Sequence, residues 1–172
     1  INRMPDWLIP PTLINTTVPA ASTSTVIVTG NVLGTGYGAP PLASNRGGVV
    51  VDGCPTARVG GFLVDERNVI AGNQEEGVRV GGGGTPAATI RGNRIGLDAA
   101  GTAEGNRFGV RVVAGGAAIG GTITNAGNTI AANAEADIQV EAPGMVGNIQ
   151  GNRIGTDDAG LANRGSTVGI RV

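Results

Sequence analysis

Aliphatic and polar residues alternate in short, recurring phrases along this chain. Val49 and Val51, Val78 and Val80, Val110 and Val112, Ile138 and Val140, and Ile170 and Val172 each flank one residue: Val50, Arg79, Arg111, Gln139 and Arg171 respectively. A strand sends successive side chains to opposite faces, so the pattern predicts strands with the aliphatic pairs inside and an Arg-rich set in water. A second phrase places Leu33, Ile70, Ile95, Ile130 and Ile154 two positions after an Asn. Helical periodicity is not visible at useful length. Alternation, β-branched residues and Gly-Asn punctuation dominate.

Starting each repeat at the residue before the first phrase puts boundaries near 17, 48, 77, 109, 137 and 169, with repeats of 28 to 32 residues. Long and short repeats alternate, so the sequence period is a pair of about sixty residues. A strand-and-corner unit recurring at this length predicts an all-β solenoid of about five turns over residues 17–172. Stacked at about 4.8 Å per turn, the phrases become aliphatic ladders down the core. Residues 1–16 stand apart, with Met4, Pro5, Trp7, Pro10 and Pro11 close together. The prolines exclude a helix interior or a central strand, which predicts an extended arm over one end of the solenoid or over a neighbour.

Two asparagines recur once per turn. One set is Asn31, Asn68, Asn93, Asn128 and Asn152; the other is Asn45, Asn73, Asn106, Asn133 and Asn163. Asn tolerates left-handed backbone angles and bonds to nearby backbone, and amides repeated at one corner can bond from turn to turn. Gly30, Gly72, Gly92 and Gly151 stand beside them and allow a sharp corner. Ten residues in one repeated role read as scaffold rather than ligand.

Composition narrows the picture further. Only Trp7, Tyr37, Phe62 and Phe108 are aromatic, and glycine is 32 of 172 residues, so the core is aliphatic and the chain is glycine-rich. Lysine and histidine are absent, all twelve basic groups are Arg, and net charge is −1, which argues against a nucleic-acid partner. Without His, neither a Ser-His-Asp nor a Cys-His site can form. The single Cys54 cannot form an internal disulfide and reads as a small buried or loop residue. No apolar run approaches a membrane span. The first residue is Ile, without a signal-peptide pattern, which leads to the expectation of a processed chain or an excerpt.

Gly60-Gly61, Asn68–Asn73, Gly77–Val80 and Ile90–Gly101, with Ile119-Gly120-Gly121 and Ile154–Gly160 later, carry a further likeness. This pattern resembles the repeat of right-handed parallel β-helix proteins of the pectin-lyase-like type, in particular the IGG…GNVIAGN…IGTDAxG arrays of bacterial surface proteins. The likeness covers about 26–172. It implies a right-handed single-stranded parallel β-helix at the cell surface or outside the cell, and says nothing of activity. The first turn departs from it, with Gly36 where Asp98 and Asp157 stand later.

Carboxylate chemistry on this fold would draw on Asp98, Asp157 and Asp158, with Arg94 and Arg153 near in sequence. Asp98 and Asp157 are equivalent positions two turns apart, roughly 10 Å by strand spacing. A centre repeated in this way argues against catalysis, and an Asp opening a Gly-ended loop bonds its own backbone. No metal site or cofactor is therefore expected. The Arg79, Arg111 and Arg171 column could hold an anionic polymer, but Glu75, Glu76, Glu104, Glu135 and Glu141 stand ready to pair with it. Gly81 to Gly84 reads as a turn, lacking the Lys-Ser/Thr ending of a phosphate loop.

The chain stops at Gly169–Val172, one strand into a new turn and without a polar cap. Bare strand edges and aliphatic core then need a cover, either a longer solenoid or another molecule. Trp7, Leu8 and Ile9 of the arm, with Ile170 and Val172, are the candidate assembly contacts. The expectation is a non-enzymatic structural element (stalk, sheath or filament subunit) that self-associates end to end. The alternative is a carbohydrate-binding or polysaccharide-cleaving module of an adhesin, tailspike or lyase, with a polysaccharide as partner.

Overall fold

The computed structural model describes residues 25–34, 44–82, 87–141 and 145–172. The expected arm with Trp7, Leu8 and Ile9, the Gly36 loop, and Gly83 and Gly84 lie outside the described residues. Among the described residues, fifteen strands and one 3-10 turn at Val64–Glu66 follow one another. The strands come in threes. The first rung is β1 (Thr25–Val28), β2 (Val32–Gly34) and β3 (Val49–Asp52); the second is β4 (Thr56–Val59), β5 (Val69–Ala71) and β6 (Glu76–Gly81). The third is β7 (Ala87–Ile90), β8 (Arg94–Ile95) and β9 (Phe108–Val112); the fourth is β10 (Gly116–Gly120), β11 (Thr129–Ile130) and β12 (Ala136–Val140). The fifth is β13 (Met145–Gln150), β14 (Arg153–Ile154) and β15 (Val168–Arg171).

Every third strand returns to the same sheet, giving three five-stranded sheets, β1-β4-β7-β10-β13, β2-β5-β8-β11-β14 and β3-β6-β9-β12-β15. All their pairings are parallel. The molecule is thus an all-β parallel solenoid of about four turns, where the repeat spacing predicted about five, because five rungs span only four intervals.

Register follows the two phrases. Val49, Val78, Val110, Ile138 and Ile170 stand in one column, and Leu33, Ile70, Ile95, Ile130 and Ile154 in another. Ile70, Ile95, Ile130, Val78, Val110 and Ile138 are fully buried, each contributing about 2 kcal/mol by area removed from water. The remaining sheet carries a third column, Val28, Val59, Ile90, Ile119 and Ile149, which the phrase count did not identify. Its inner neighbours Ala57, Ala88 and Ala117 are also buried. Three aliphatic columns thus meet along the axis and fill it without aromatic rings.

Loop lengths explain the alternation of long and short repeats. In rungs two and four the chain detours between the first and second sheets, before β5 and before β11. In rungs one, three and five the detour comes between the second and third sheets, before β3, β9 and β15. The detour loops of rungs two to five therefore lie over corners that the adjacent rungs turn tightly.

Candidate functional site

The corner between the first two sheets holds a continuous asparagine ladder. Asn31 Nδ2 donates to Asn68 Oδ1 at 3.1 Å, Asn68 to Asn93 at 2.9 Å, Asn93 to Asn128 at 3.0 Å and Asn128 to Asn152 at 2.9 Å. The main-chain N–H of each of the first four donates to the same oxygen. The second amide hydrogen turns to the previous rung. Asn68 donates to the carbonyl of Val28, Asn93 to Val59, Asn128 to Ile90 and Asn152 to Ile119, all at 2.9 Å. Asn68, Asn93 and Asn128 are buried, so these bonds satisfy groups that water cannot reach.

The second corner is a shorter ladder. Asn73 donates to Asn106 Oδ1 at 2.7 Å and Asn106 to Asn133 Oδ1 at 3.0 Å, and there it stops. Asn163, expected as its fifth rung, instead faces Thr156 across an antiparallel bridge and accepts the N–H of Gly165. Asn163 stands seven residues before Ile170, where Asn106 stands four before Val110, so the Asn-Arg pair is out of register. Ser166 takes the ladder position, four residues before Ile170 as Asn106 is before Val110, and its Oγ accepts the N–H of Asn133 at 2.9 Å. Asn45 also departs from expectation. Its carbonyl accepts the N–H of Gln74, but no amide bond joins it to Asn73 among the described residues, and Asn73 Oδ1 stays buried without a partner. Asn31, the other first-rung asparagine, is held in line by the Thr29 carbonyl at 2.7 Å, a support that Asn45 lacks among the described residues.

One acid interrupts this corner. The residue before each inner strand position is Gly48, Gly77, Gly109, Asp137 and Gly169. Glycine is required because a Cβ at Gly109 would lie 2.5 Å from the Asp137 carbonyl and 2.6 Å from Ile130 Cγ2. Rung four places Asp137 at that position. Its side chain is fully buried, Oδ1 accepts Asn133 Nδ2 at 2.8 Å and the Ser166 hydroxyl, and Oδ2 has no partner among the described residues. Burial pushes its carboxyl up to about 6, against the hydrogen bonds from Ser166 and Asn133.

The acids named from the sequence serve other contacts. Asp98 Oδ1 accepts the N–H groups of Ala100 at 2.9 Å and Thr102 at 2.7 Å, closing its own turn. Asp157 does the same with Leu161 at 2.9 Å, and that bond lowers its carboxyl from the usual value. Asp158 reaches across the rungs to Arg67 at 2.9 Å and to Arg94. Burial works against its charge, but bonds from Arg94 and Thr129 and the charge of Arg67 outweigh it and hold the carboxyl at about 2. Asp157 and Asp158 line a shallow pocket of about 270 Å³ with Arg94, Ala100, Gly101 and Arg164. No cluster of three or more His, Cys, Asp or Glu residues stands together among the described residues. Cys54 is buried, and its thiol donates to the Thr56 carbonyl at 3.2 Å.

The outer face of the third sheet carries the column Val50, Arg79, Arg111, Gln139 and Arg171. Arg111 lies between Glu76 at 2.9 Å and Glu141 at 2.8 Å; burial works to lower its pKa, but the two carboxylates raise it overall. Glu75 and Glu135 pair instead with Arg107 at 3.2 and 2.6 Å, while Glu104 makes no ion pair among the described residues. Arg171 bonds Gln139 at 3.2 Å. Arg79 has no carboxylate partner among the described residues and lines an open groove of about 400 Å³ with Arg46, Val50, Glu75, Glu76 and Arg111. No helix among the described residues is long and apolar enough to cross a membrane. Compared with known proteins, the chain matches no family model, no curated protein and no solved structure.

Proposed function

We propose that the chain is a non-enzymatic structural β-solenoid, with repeats of the pectin-lyase-like kind, in an extracellular or cell-surface assembly. Its role is that of a stalk, sheath or filament subunit stacking through its fifth rung. The observation that carries this reading is the longer asparagine ladder, which runs unbroken through all five rungs. The ladders support a load-bearing role, because each rung is bonded to the next through backbone and side chain alike. The surface location rests on the likeness of the repeats to surface-protein arrays.

Sedimentation velocity across a hundredfold concentration range, with negative-stain microscopy, tests the proposal. Reversible association that weakens in Ile170→Asp is the expected result; a monomer at the highest concentration, for wild type and variant alike, sinks it. A second reading, an acidic-polysaccharide binder, is favoured by the groove where Arg79 and Arg46 face solvent without a carboxylate partner among the described residues. A glycan screen in which Arg79→Ala loses the signal would move the assignment to it.

A further inference from the structure

Asp137 is not needed to fold a rung of this kind. Rungs one, two, three and five place Gly at its position, and the ladder passes from Asn73 to Asn106 to Asn133 without an acid. Where Asp137 intrudes, Asn133 Nδ2 turns to its Oδ1 rather than to a fifth-rung amide, and the fifth rung supplies a hydroxyl, Ser166. The carboxyl is therefore sealed between rung four and rung five by one loop. The other side-chain groups that attach that loop, 155–167, and β15 to rung four are the Thr167 hydroxyl to the Ala134 carbonyl at 2.8 Å, Arg171 to Gln139, and Asp158 to Thr129. Oδ2 lies buried with neither donor nor water-facing surface among the described residues.

Charged groups on the surrounding elements point elsewhere. Arg111 of β9 is held by Glu76 and Glu141, and Glu135 beside β12 by Arg107. Arg171 of β15 bonds Gln139, Asp157 closes its own turn, and Asp158 binds Arg67 and Arg94. Arg164, two residues before Ser166, makes no ion pair among the described residues. The groups that bond Asp137, Asn133 and Ser166, do not titrate. Its charge state thus answers to burial, and burial is relieved when the fifth rung lifts.

We propose that Asp137 is a proton-operated latch on the fifth rung. Protonated, it lets loop 155–167 and β15 close over the inner face of rung four; ionised, it favours an opened rung in which the carboxylate meets water. The direction follows from linkage. The closed-state carboxyl titrates at about 6 and the opened one near 3.8, so closure is fully favoured below the lower value and weakens as pH rises through the upper one. Between pH 5 and pH 7.5 this amounts to about a tenfold rise in the opening equilibrium. The latch is independent of end-to-end stacking and is tested on dilute protein.

Native-state hydrogen exchange followed by mass spectrometry, corrected for intrinsic rates, reads opening rung by rung. The expected result is about a tenfold loss of protection in β15 and loop 155–167 between pH 5 and pH 7.5, with β6 and β9 unchanged. Asp137→Asn removes the pH dependence, and Asp137→Gly, the residue of the other rungs, does the same by a route that leaves no buried amide. Equal protection of the fifth rung at the two pH values in the wild type overturns the proposal, whether or not either variant folds. So does a pH response that survives unchanged in both variants.

Discussion

Asn93 sits in the middle rung of the longer ladder, and replacing it with Ala tests whether stacked amides hold the solenoid together or merely fit inside it. In the folded chain its Oδ1 accepts the Asn68 amide at 2.9 Å and the Asn68 main-chain N–H at 3.4 Å. Its own amide donates to Asn128 Oδ1 at 3.0 Å and to the Val59 carbonyl at 2.9 Å. After substitution the main-chain N–H of residue 93 still reaches Asn128 Oδ1, which it does at 3.0 Å already, so that acceptor remains occupied. One Asn68 amide hydrogen and the Asn68 N–H lose their acceptor inside a region closed to water, while the Val59 carbonyl keeps the Arg91 N–H at 3.0 Å. At roughly 1–3 kcal/mol for the stranded amide hydrogen, and little for the long 3.4 Å bond, the loss comes to about 1–3 kcal/mol. Asn31→Ala is the internal control. There Asn68 Oδ1 keeps the N–H of residue 31 at 2.9 Å, and the released Thr29 carbonyl is only half-buried, so the cost stays below about 1 kcal/mol. Urea unfolding followed by far-UV circular dichroism gives both values, provided the slope with denaturant is shared. Equal costs for the two substitutions, or a cost under about 1 kcal/mol for Asn93→Ala, would refute the reasoning and make the ladder a passenger of strand packing.

Three further outcomes follow from other parts of the molecule. Gly109→Ala forces a Cβ to within 2.6 Å of Ile130 Cγ2 and 2.5 Å of the Asp137 carbonyl, and is expected to cost at least about 2 kcal/mol in the same urea assay; a near-neutral result means rungs three and four can spread. Ala132 adopts a φ of 61°, where rung two has Gly72 at 67°, so Ala132→Gly should stabilise by about 0.5–1 kcal/mol and raise the thermal midpoint, while a fall would show that the left-handed turn is not strained. Asp158 has its carboxyl lowered from 3.8 to about 2, so its stabilisation is complete above the upper value and is lost as pH falls through the lower. Solvent screening limits that contribution to about 1 kcal/mol, and Asp158→Asn should therefore unfold more easily than wild type at pH 6, with most of the gap closed at pH 2; a gap of undiminished size at pH 2 points to lost packing instead.

How far the fold was legible depends on which residues filled each column. Val, Ile and Leu at every rung made two of the three sheets countable, because an aliphatic side chain between Arg, Asn and Gly stands out at a period of two. The remaining sheet hides its alternation in Ala57, Ala88 and Ala117 with Gly116 and Thr89 as neighbours, residues too small or too neutral in preference to mark a strand. The Asn163-Arg164 pair imitates Asn106-Arg107 in sequence, but distance to the following strand, rather than the dipeptide, selects Ser166. The same measure applied to the position before each strand would have exposed Asp137 among four glycines. In a solenoid, stacking demands the same side chain at the same place, so a residue that recurs is explained by the rung beneath it. Asp98 and Asp157 recur and close turns. Asp137 occurs once in its column, buried and half-bonded, where a Cβ at Gly48, Gly77 or Gly109 would lie within 3.0 Å of a neighbour. A buried carboxyl oxygen without a donor is costly unless it is protonated or reaches water, and this is why the acid that stands alone in its column is the one that titrates with opening.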